Sequence, residues 1–197
     1  MLDVFLLIDE KSVQAYDLLL RKLLSKKRYV HSVSVAVEAV RLAEKYGADS
    51  EKAYVAGLLH DICKEMPLIK QKELVLSGFD VCKVELNAQP LWHAIAGSVY
   101  ARNNLGIKDD DIINAIRYHT AGRGSMSLLE QVVYLADLIS ADRDYKEVKK
   151  MRLLCFDDIT LALVEALKFN ISEQLLKGNA IPLKSVEAYN RYIGTKK

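Results

Sequence analysis

Apolar residues recur at intervals of three and four along most of the chain, which is the period of an α-helix rather than the alternation of a β-strand. Between residues 12 and 26 one helical face is apolar, and it carries Val13, Tyr16, Leu19, Leu20, Leu23 and Leu24. Prolines and glycines, which interrupt helices, number only three and nine in 197 residues. The pattern predicts an all-α fold.

The same periodicity sets the bounds of the other predicted helices. Gly47 is placed as the stop of a helix at residues 28–46, and Asp49 as the N-cap of the next helix, which ends in His60 and Asp61. That third helix is apolar on nearly every side, so we expect it in the middle of the bundle. Further helices are predicted at residues 68–77, 91–104, 110–119, 128–140, 145–154, 158–176 and 185–192.

No linker, charge block, internal repeat or low-complexity tract divides the sequence, so we predict one helical bundle over residues 1–197. The first ten residues are apolar but too short to span a membrane, and they lack a basic flank and a cleavage site. These features lead us to expect a cytoplasmic protein without a membrane partner.

The charge and the cysteine content exclude some classes of function but do not identify the function. Lys and Arg total 28 against 26 Asp and Glu, for a net charge of +2, whereas nucleic-acid binding normally needs a larger positive excess. We therefore expect no nucleic-acid partner. The three cysteines are an odd number without a Cys-x-x-Cys pair, which argues against a disulfide framework or a thiolate zinc site.

The histidines and two aspartates carry the candidate chemistry. One histidine on an apolar helix face is usually a hydrogen-bonded core residue, but this chain places all four there, namely His31, His60, His93 and His119. Asp61 and Asp137 each follow an apolar run, although Asp137 could instead cap a helix. A buried carboxylate is costly unless a cation compensates it, and a metal ion is such a cation. Imidazole with carboxylate suits a transition metal better than calcium, and this many ligands indicate more than one ion.

In this order, His31, His60 with Asp61, and Asp137 resemble the H…HD…D signature of HD-domain metal-dependent phosphohydrolases. The intervening His93 and His119 match members that hold two ions. Longer stretches are similar to the bacterial YqeK-type subfamily of symmetrical diadenosine tetraphosphate hydrolases. These stretches are residues 28–32, 56–64, 92–94, 118–122 and 134–137, and Arg143 follows the last of them. The resemblance covers nearly the whole chain, from about residue 18 to residue 190.

The resemblance implies an HD-type helical bundle with a metal region at about residues 28–143. One ion would have as its ligands His31, His60, Asp61 and Asp137. The second would be held by His93 and His119, with Asp61 bridging the pair. Iron is the first choice of metal, and manganese, cobalt, nickel and zinc are the alternatives.

The resemblance also implies a dinucleoside polyphosphate substrate that is cleaved symmetrically to two ADP, or to GDP from the guanosine analogue. Two ions can share a hydroxide and neutralise the phosphoryl group that it attacks. The catalytic residues would then be Asp61, Lys64 and Arg143. The substrate would be bound by Lys64, Thr120, Arg123 and Arg143, although most Lys and Arg side chains are simply exposed.

Other functions fit the same ligands. An HD-domain 5′-nucleotidase or another nucleotide phosphohydrolase would use them on a shorter phosphate chain. A cyclic-dinucleotide phosphodiesterase shares the metal chemistry, but the sequence lacks the Gly-Tyr-Pro segment expected of one. A non-catalytic nucleotide-binding interaction module belongs to a different class, and a homodimer also remains open.

Overall fold

Eleven α-helices and no strand make up the part of the chain that this computed structural model describes, residues 10–78 and 81–194. This confirms the predicted all-α fold. In chain order the helices are α1 (Glu10–Leu23), α2 (Lys26–Tyr46), α3 (Ser50–Leu59), α4 (Leu68–Ser77), α5 (Lys83–Asn87), α6 (Trp92–Asn103), α7 (Asp110–Tyr118), α8 (Leu128–Ile139), α9 (Val148–Asp157), α10 (Ile159–Leu176) and α11 (Leu183–Ile193), with a 3₁₀ turn at Gln89–Leu91.

Polar side chains at the helix ends explain several of these bounds. The hydroxyl of Ser25 caps α2, and the carboxylate of Asp49 caps α3 as predicted. Ser127 and Glu130 form a reciprocal capping box at the start of α8. Gly47 ends α2 with φ 77°, a left-handed conformation that glycine adopts without steric cost.

Several helix bounds differ from the sequence prediction by one to three residues, as at the end of α1 (Leu23 rather than residue 26), the end of α9 (Asp157 rather than residue 154) and the start of α11 (Leu183 rather than residue 185). Two further differences are an additional helix and a displaced helix start. The short helix α5 was not predicted, because five residues are too few to show a helical period. The helix α9 begins at Val148 rather than at residue 145, because Tyr145 forms a turn in which its carbonyl accepts from the Val148 amide at 3.0 Å. Both differences lie in connections on which the hydrophobic pattern gives little information.

The packing of α2 against α3 positions the first candidate ligands. These two helices share the most extensive contact among the described helices, α8 packs against both of them, and α7 packs against α3. Small side chains line the contact, and Ala36, Ala39, Ala53 and Ala56 have no exposed surface. A Cβ atom built on Gly57 would lie 2.9 Å from Ala36 Cα, so the backbones meet here without room for a side chain.

The remaining helices cover this centre. α6 packs on α7 with α4 outside it, and α9 and α10 pack on α8, with α11 on α10. Buried apolar side chains form one cluster from Leu20 of α1 to Ala188 of α11. Among the residues described, no helix combines the length and apolar character needed to cross a membrane. The single domain over residues 1–197 and the cytoplasmic location stay predictions.

Substitution of Gly57 by alanine should destabilise the protein, because the added methyl group collides with backbone rather than with a flexible side chain. Overpacking of this kind typically costs about 1–3 kcal/mol in the free energy of unfolding. Urea denaturation of Gly57→Ala measures it. Gly124→Ala is the matched control, because its Cβ would meet Glu187 Cβ at an ordinary 3.6 Å. Equal stability of the two variants would contradict the proposed close packing.

Candidate metal centre

His31 lies in the second turn of α2 with its ring buried. Its Nδ1 atom is 2.8 Å from Asp142 Oδ2, and because a carboxylate only accepts, we assign the proton of the neutral ring to Nδ1. The lone pair is then on Nε2, which lies 3.0 Å from Asp137 Oδ1 and 3.9 Å from Asp61 Oδ2. This Nε2 atom has no hydrogen-bond partner among the described residues.

His60 and His119 are held in the same way at the C-terminal ends of their helices. The Nδ1 atom of His60 is 2.7 Å from the carbonyl oxygen of Gly57, and that of His119 is 2.8 Å from the carbonyl oxygen of Ile116. Both Nε2 atoms therefore carry a lone pair when the rings are neutral. Burial lowers the pKa of His119. Burial also opposes the charged form of His60, but Asp61, Asp137 and the Gly57 carbonyl together outweigh it and raise the pKa of His60.

Asp61 lies in the turn after α3, and its two oxygens face different partners. Oδ2 lies 2.8 Å from Arg28 Nη1 and 3.5 Å from His60 Nε2. Oδ1 lies 3.3 Å from His93 Nε2 and 3.6 Å from His119 Nε2, yet it accepts no hydrogen bond from the described residues. Burial would raise the pKa of this carboxyl, but the surrounding histidines and a lysine hold it well below its usual range. A carboxylate so placed can bind two cations, one on each oxygen.

Lys64 reaches the same group from the turns that follow α3. The segment after α3 forms short turns, in which the Lys64 amide donates to the Asp61 carbonyl at 2.8 Å. Its Nζ lies 3.0 Å from His93 Nε2 and 3.6 Å from Asp61 Oδ1. Burial and this ammonium group lower the pKa of His93 well below its usual value. The neutral His93 Nε2 is also 3.3 Å from His119 Nε2, so two lone pairs converge here.

Asp137 lies in the last turn of α8 and completes the group on the His31 side. Its Oδ1 is 3.9 Å from His60 Nε2, and its carboxylate forms an ion pair with Arg143. The Arg143 Nε also donates to the Asp137 carbonyl oxygen at 2.7 Å. Burial would raise the pKa of Asp137, but His31, His60 and Arg143 lower it. Arg143 is therefore positioned by a residue in the last turn of α8.

The structure thus brings all six predicted metal ligands into one cluster, in which Asp137 is half-buried and the other five are buried. Three sets of donor atoms each lie within 4.8 Å of one another, and they are His31 with His60 and Asp61, His60 with His119 and Asp137, and Asp61 with His93 and His119. Buried donor atoms without hydrogen bonds, His31 Nε2, His60 Nε2 and Asp61 Oδ1, fit a cation that supplies the missing partner. This His/Asp cluster is suited to binding a divalent metal.

Two predicted substrate residues lie in different surroundings. The Thr120 hydroxyl is 3.4 Å from His93 Nε2, at the edge of the cluster. Arg123 is turned away from the cluster, and its Nε and Nη2 donate to the buried carboxylate of Glu130 at 2.8 and 2.6 Å. Its guanidinium also lies over the Tyr118 ring. The part of Arg123 in substrate binding stays a prediction.

Arg28 and Asp142 contact the cluster but had been given no role from the sequence. Arg28 precedes His31 by three residues and shares its helix face, so spacing could have indicated it. Asp142 follows α8 in an irregular segment, and it also accepts from the Ser140 hydroxyl at 2.8 Å. Only the folded chain brings it to His31, 111 positions earlier in the sequence.

A cavity of about 430 Å³ adjoins the cluster. Its lining includes four residues of the cluster or its edge, namely His119, Thr120, Asp137 and Arg143. The lining also includes apolar and aromatic side chains of α10 and the segment that follows it, among them Leu167, Phe169, Ile171 and Ile181. The cluster therefore opens into a space of the size and character that small-molecule sites usually have.

Comparisons with known proteins agree with this architecture. The symmetrical bis(5′-nucleosyl)-tetraphosphatase of Bacillus subtilis (strain 168) is 38% identical over 156 residues, which are 79% of this chain and 83% of that protein. A protein of the same name from Halalkalibacterium halodurans is 34% identical over 170 residues, or 86% and 91% of the two chains.

A solved structure and a family model extend the comparison to the fold. The crystal structure of a predicted HD superfamily hydrolase involved in NAD metabolism, from Clostridium acetobutylicum, has a TM-score of 0.89 and 37% sequence identity. The match covers 93% of this chain and 98% of that one. The model of the HD domain matches residues 28–142, which contain all six clustered histidines and aspartates. The chain belongs to the HD domain family.

Proposed function

We propose that this protein hydrolyses diadenosine tetraphosphate symmetrically to two ADP, in a reaction that depends on two metal ions. The observation that carries the proposal is the position of Asp61, whose two oxygens each face a separate pair of histidines. The relatives named as symmetrical tetraphosphatases support the choice of substrate. Guanosine analogues would be cleaved to GDP by the same chemistry.

The cluster divides into two sets of ligands that share Asp61. The first set is His31, His60, Asp61 and Asp137. The second set is Asp61, His93 and His119. Iron is the proposed metal, with manganese, cobalt, nickel and zinc as alternatives that the same nitrogen and oxygen donors would accept. A pair of ions held there would supply a water nucleophile at neutral pH and neutralise phosphate oxygens.

The side chains around the ions have defined tasks in this reaction. The water oxygen attacks the second phosphorus from one adenosine, and the bond to the oxygen that bridges to the third phosphorus breaks, so that each product is ADP. Lys64 and Arg143 stabilise the negative charge on the phosphate oxygens, and the Thr120 hydroxyl lies close enough to take part. Neither cation can be a metal ligand at neutral pH, so each could turn from its present partner, Asp137 for Arg143 and His93 for Lys64, to phosphate.

No covalent intermediate is needed. Cys63, the thiol nearest the cluster in the sequence, is buried, and burial raises its pKa to about 12. Such a thiol is almost entirely protonated near pH 7 and is a poor nucleophile. Its place in the apolar core, with no exposed surface, is consistent with a packing role.

Product analysis distinguishes this function from the alternatives. Incubation of the metal-loaded protein with diadenosine tetraphosphate should give ADP alone, because cleavage at the central bridge divides the phosphates equally. Chromatography of the products at early times measures the ratio. AMP with ATP would indicate asymmetric cleavage, and preferential release of phosphate from mononucleotides would support a 5′-nucleotidase. The absence of any product would favour a nucleotide-binding module.

Metal content should reveal the shared ligand. His93→Ala should lose about one ion per chain, because the ligands of the other ion, His31, His60, Asp61 and Asp137, all remain. Asp61→Asn removes the charge that faces both sets, so it should lose most of both ions and its turnover. Elemental analysis of purified variants measures the stoichiometry, and circular dichroism controls for folding. Equal metal content in Asp61→Asn and the parent would refute the bridging role.

Lys64→Ala and Arg143→Ala should keep both ions yet hydrolyse the substrate more slowly. Charge-assisted hydrogen bonds are worth about 1.5–3 kcal/mol, so kcat/KM should fall by roughly ten- to a hundredfold. Arg143→Lys should recover only part of the loss, because an ammonium cannot hold two phosphate oxygens in the fixed fork of a guanidinium. Lys108→Ala, an exposed lysine in the connection between α6 and α7, is the control. Parent-like kinetics of both alanine variants would place the polyphosphate elsewhere.

A further inference from the structure

Arg152 of α9 binds a turn of the backbone beside the metal centre. Its Nε donates to the carbonyl oxygen of Ile139 at 2.8 Å, and its Nη2 donates to those of Ser140 and Arg143 at 2.7 and 3.0 Å. The first two carbonyls lie at the end of α8, where backbone acceptors lack helical partners. The third lies beyond the turn. One guanidinium therefore holds the backbone on both sides of residues 141 and 142.

The position of Arg152 is fixed by the packing of α9. Val148 and Cys155 of the same helix are buried, and the Cys155 carbonyl oxygen accepts from the Tyr46 hydroxyl of α2 at 2.8 Å. The helix also packs on α8 and on α10. A side chain on an anchored helix can hold a turn more precisely than one on a loop, and the planar guanidinium can donate to several acceptors at once.

The turn that Arg152 holds carries two side chains of the metal centre. Asp142 accepts from the Ser140 hydroxyl at 2.8 Å through Oδ1, and its Oδ2 lies 2.8 Å from His31 Nδ1. Arg143 is the next residue, and its amide closes the turn by donating to the Ser140 carbonyl at 3.0 Å. Displacement of this turn would therefore move the partner of a candidate metal ligand and a candidate phosphate-binding cation together.

We infer that Arg152 is a positioning residue for the metal centre, and that it acts through the turn that carries Asp142 and Arg143. The bond from His31 Nδ1 to Asp142 keeps Nε2 of the same ring directed at the cluster, and an outer carboxylate of this kind orients a metal-binding imidazole. Arg152 does not line the cavity, so its effect passes through the turn rather than through the substrate. The inference deepens the proposed function because it rests on the metal centre, but it does not depend on which phosphate compound is cleaved.

Binding of Mn²⁺ to the metal-free protein tests this role, with unbound Mn²⁺ measured by electron paramagnetic resonance. Loss of an outer hydrogen-bonding partner weakens metal binding, so Asp142→Ala should raise the Kd of one ion roughly ten- to a hundredfold. Arg152→Ala should raise the same Kd about three- to tenfold, because Asp142 remains but is less well oriented. Arg152→Lys should recover part of this loss, since an ammonium lacks the guanidinium fork. Lys150→Ala removes an exposed cation of the same helix and should bind Mn²⁺ like the parent.

The double variant Asp142→Ala/Arg152→Ala separates positioning from a merely structural role. If Arg152 acts through Asp142, the double variant should bind Mn²⁺ about as weakly as Asp142→Ala alone, since the two losses are not independent. Losses that multiply in the double variant would overturn the inference. Thermal unfolding of each variant is the second measurement. A lower Tm of Arg152→Ala with the parent Kd for Mn²⁺ would limit Arg152 to stabilising the fold, and would also overturn the inference.

The hydrolysis assay separates this inference from the proposed function. Weaker Mn²⁺ binding in Arg152→Ala, without cleavage of diadenosine tetraphosphate by the parent, would keep the positioning role and remove the reaction. Cleavage by the parent, with unchanged Mn²⁺ binding in Arg152→Ala, would keep the reaction and remove the positioning role.

Discussion

The carboxylate of Asp61 is the constraint on which the rest of the site depends. It is only 2% exposed in a region otherwise rich in Ala, Val and Leu, where an unpaired charge would cost several kcal/mol. Positive or protonatable groups lie at both of its oxygens. Arg28 is at one oxygen and Lys64 at the other, and histidines surround them. The carboxyl of Asp61 stays ionised despite its burial because cations surround it. An ionised, buried carboxylate of this kind is also a suitable ligand for metal ions.

The backbone orients the ligands as much as the side chains do. His60 and His119 each follow the last residue of a helix, where carbonyl groups lack helical partners, and each ring donates Nδ1–H to one of them. That bond fixes the tautomer and turns Nε2 toward the cluster. The close contact of α2 with α3 at Gly57 then sets His31 and His60 with ring centroids 5.3 Å apart. Packing of small residues and helix termination therefore decide the geometry of the donors.

Sequence could indicate the six clustered residues because histidine is rare in this chain and because His60 and Asp61 adjoin on an apolar helix. The helices followed from periodicity, apart from the short α5 and the start of α9. The contacts of Asp142 gave no comparable signal, since they form only when the segment after α8 folds back onto His31. The local sequence pattern predicts which helix face a residue occupies, whereas these contacts depend on tertiary packing.

The charges of the site also explain why it suits a polyphosphate. Asp61, Asp137 and Asp142 are faced by three cations, since Arg28 and Lys64 lie at Asp61 and Arg143 pairs with Asp137. The carboxylates and cations are therefore balanced in number. Divalent ions on the carboxylates would leave Arg28, Lys64 and Arg143 as surplus positive charge, and of these three Arg143 lines the adjoining cavity. A ligand must then bring several negative charges, and a chain of four phosphates does so in a way that a neutral or singly charged molecule cannot.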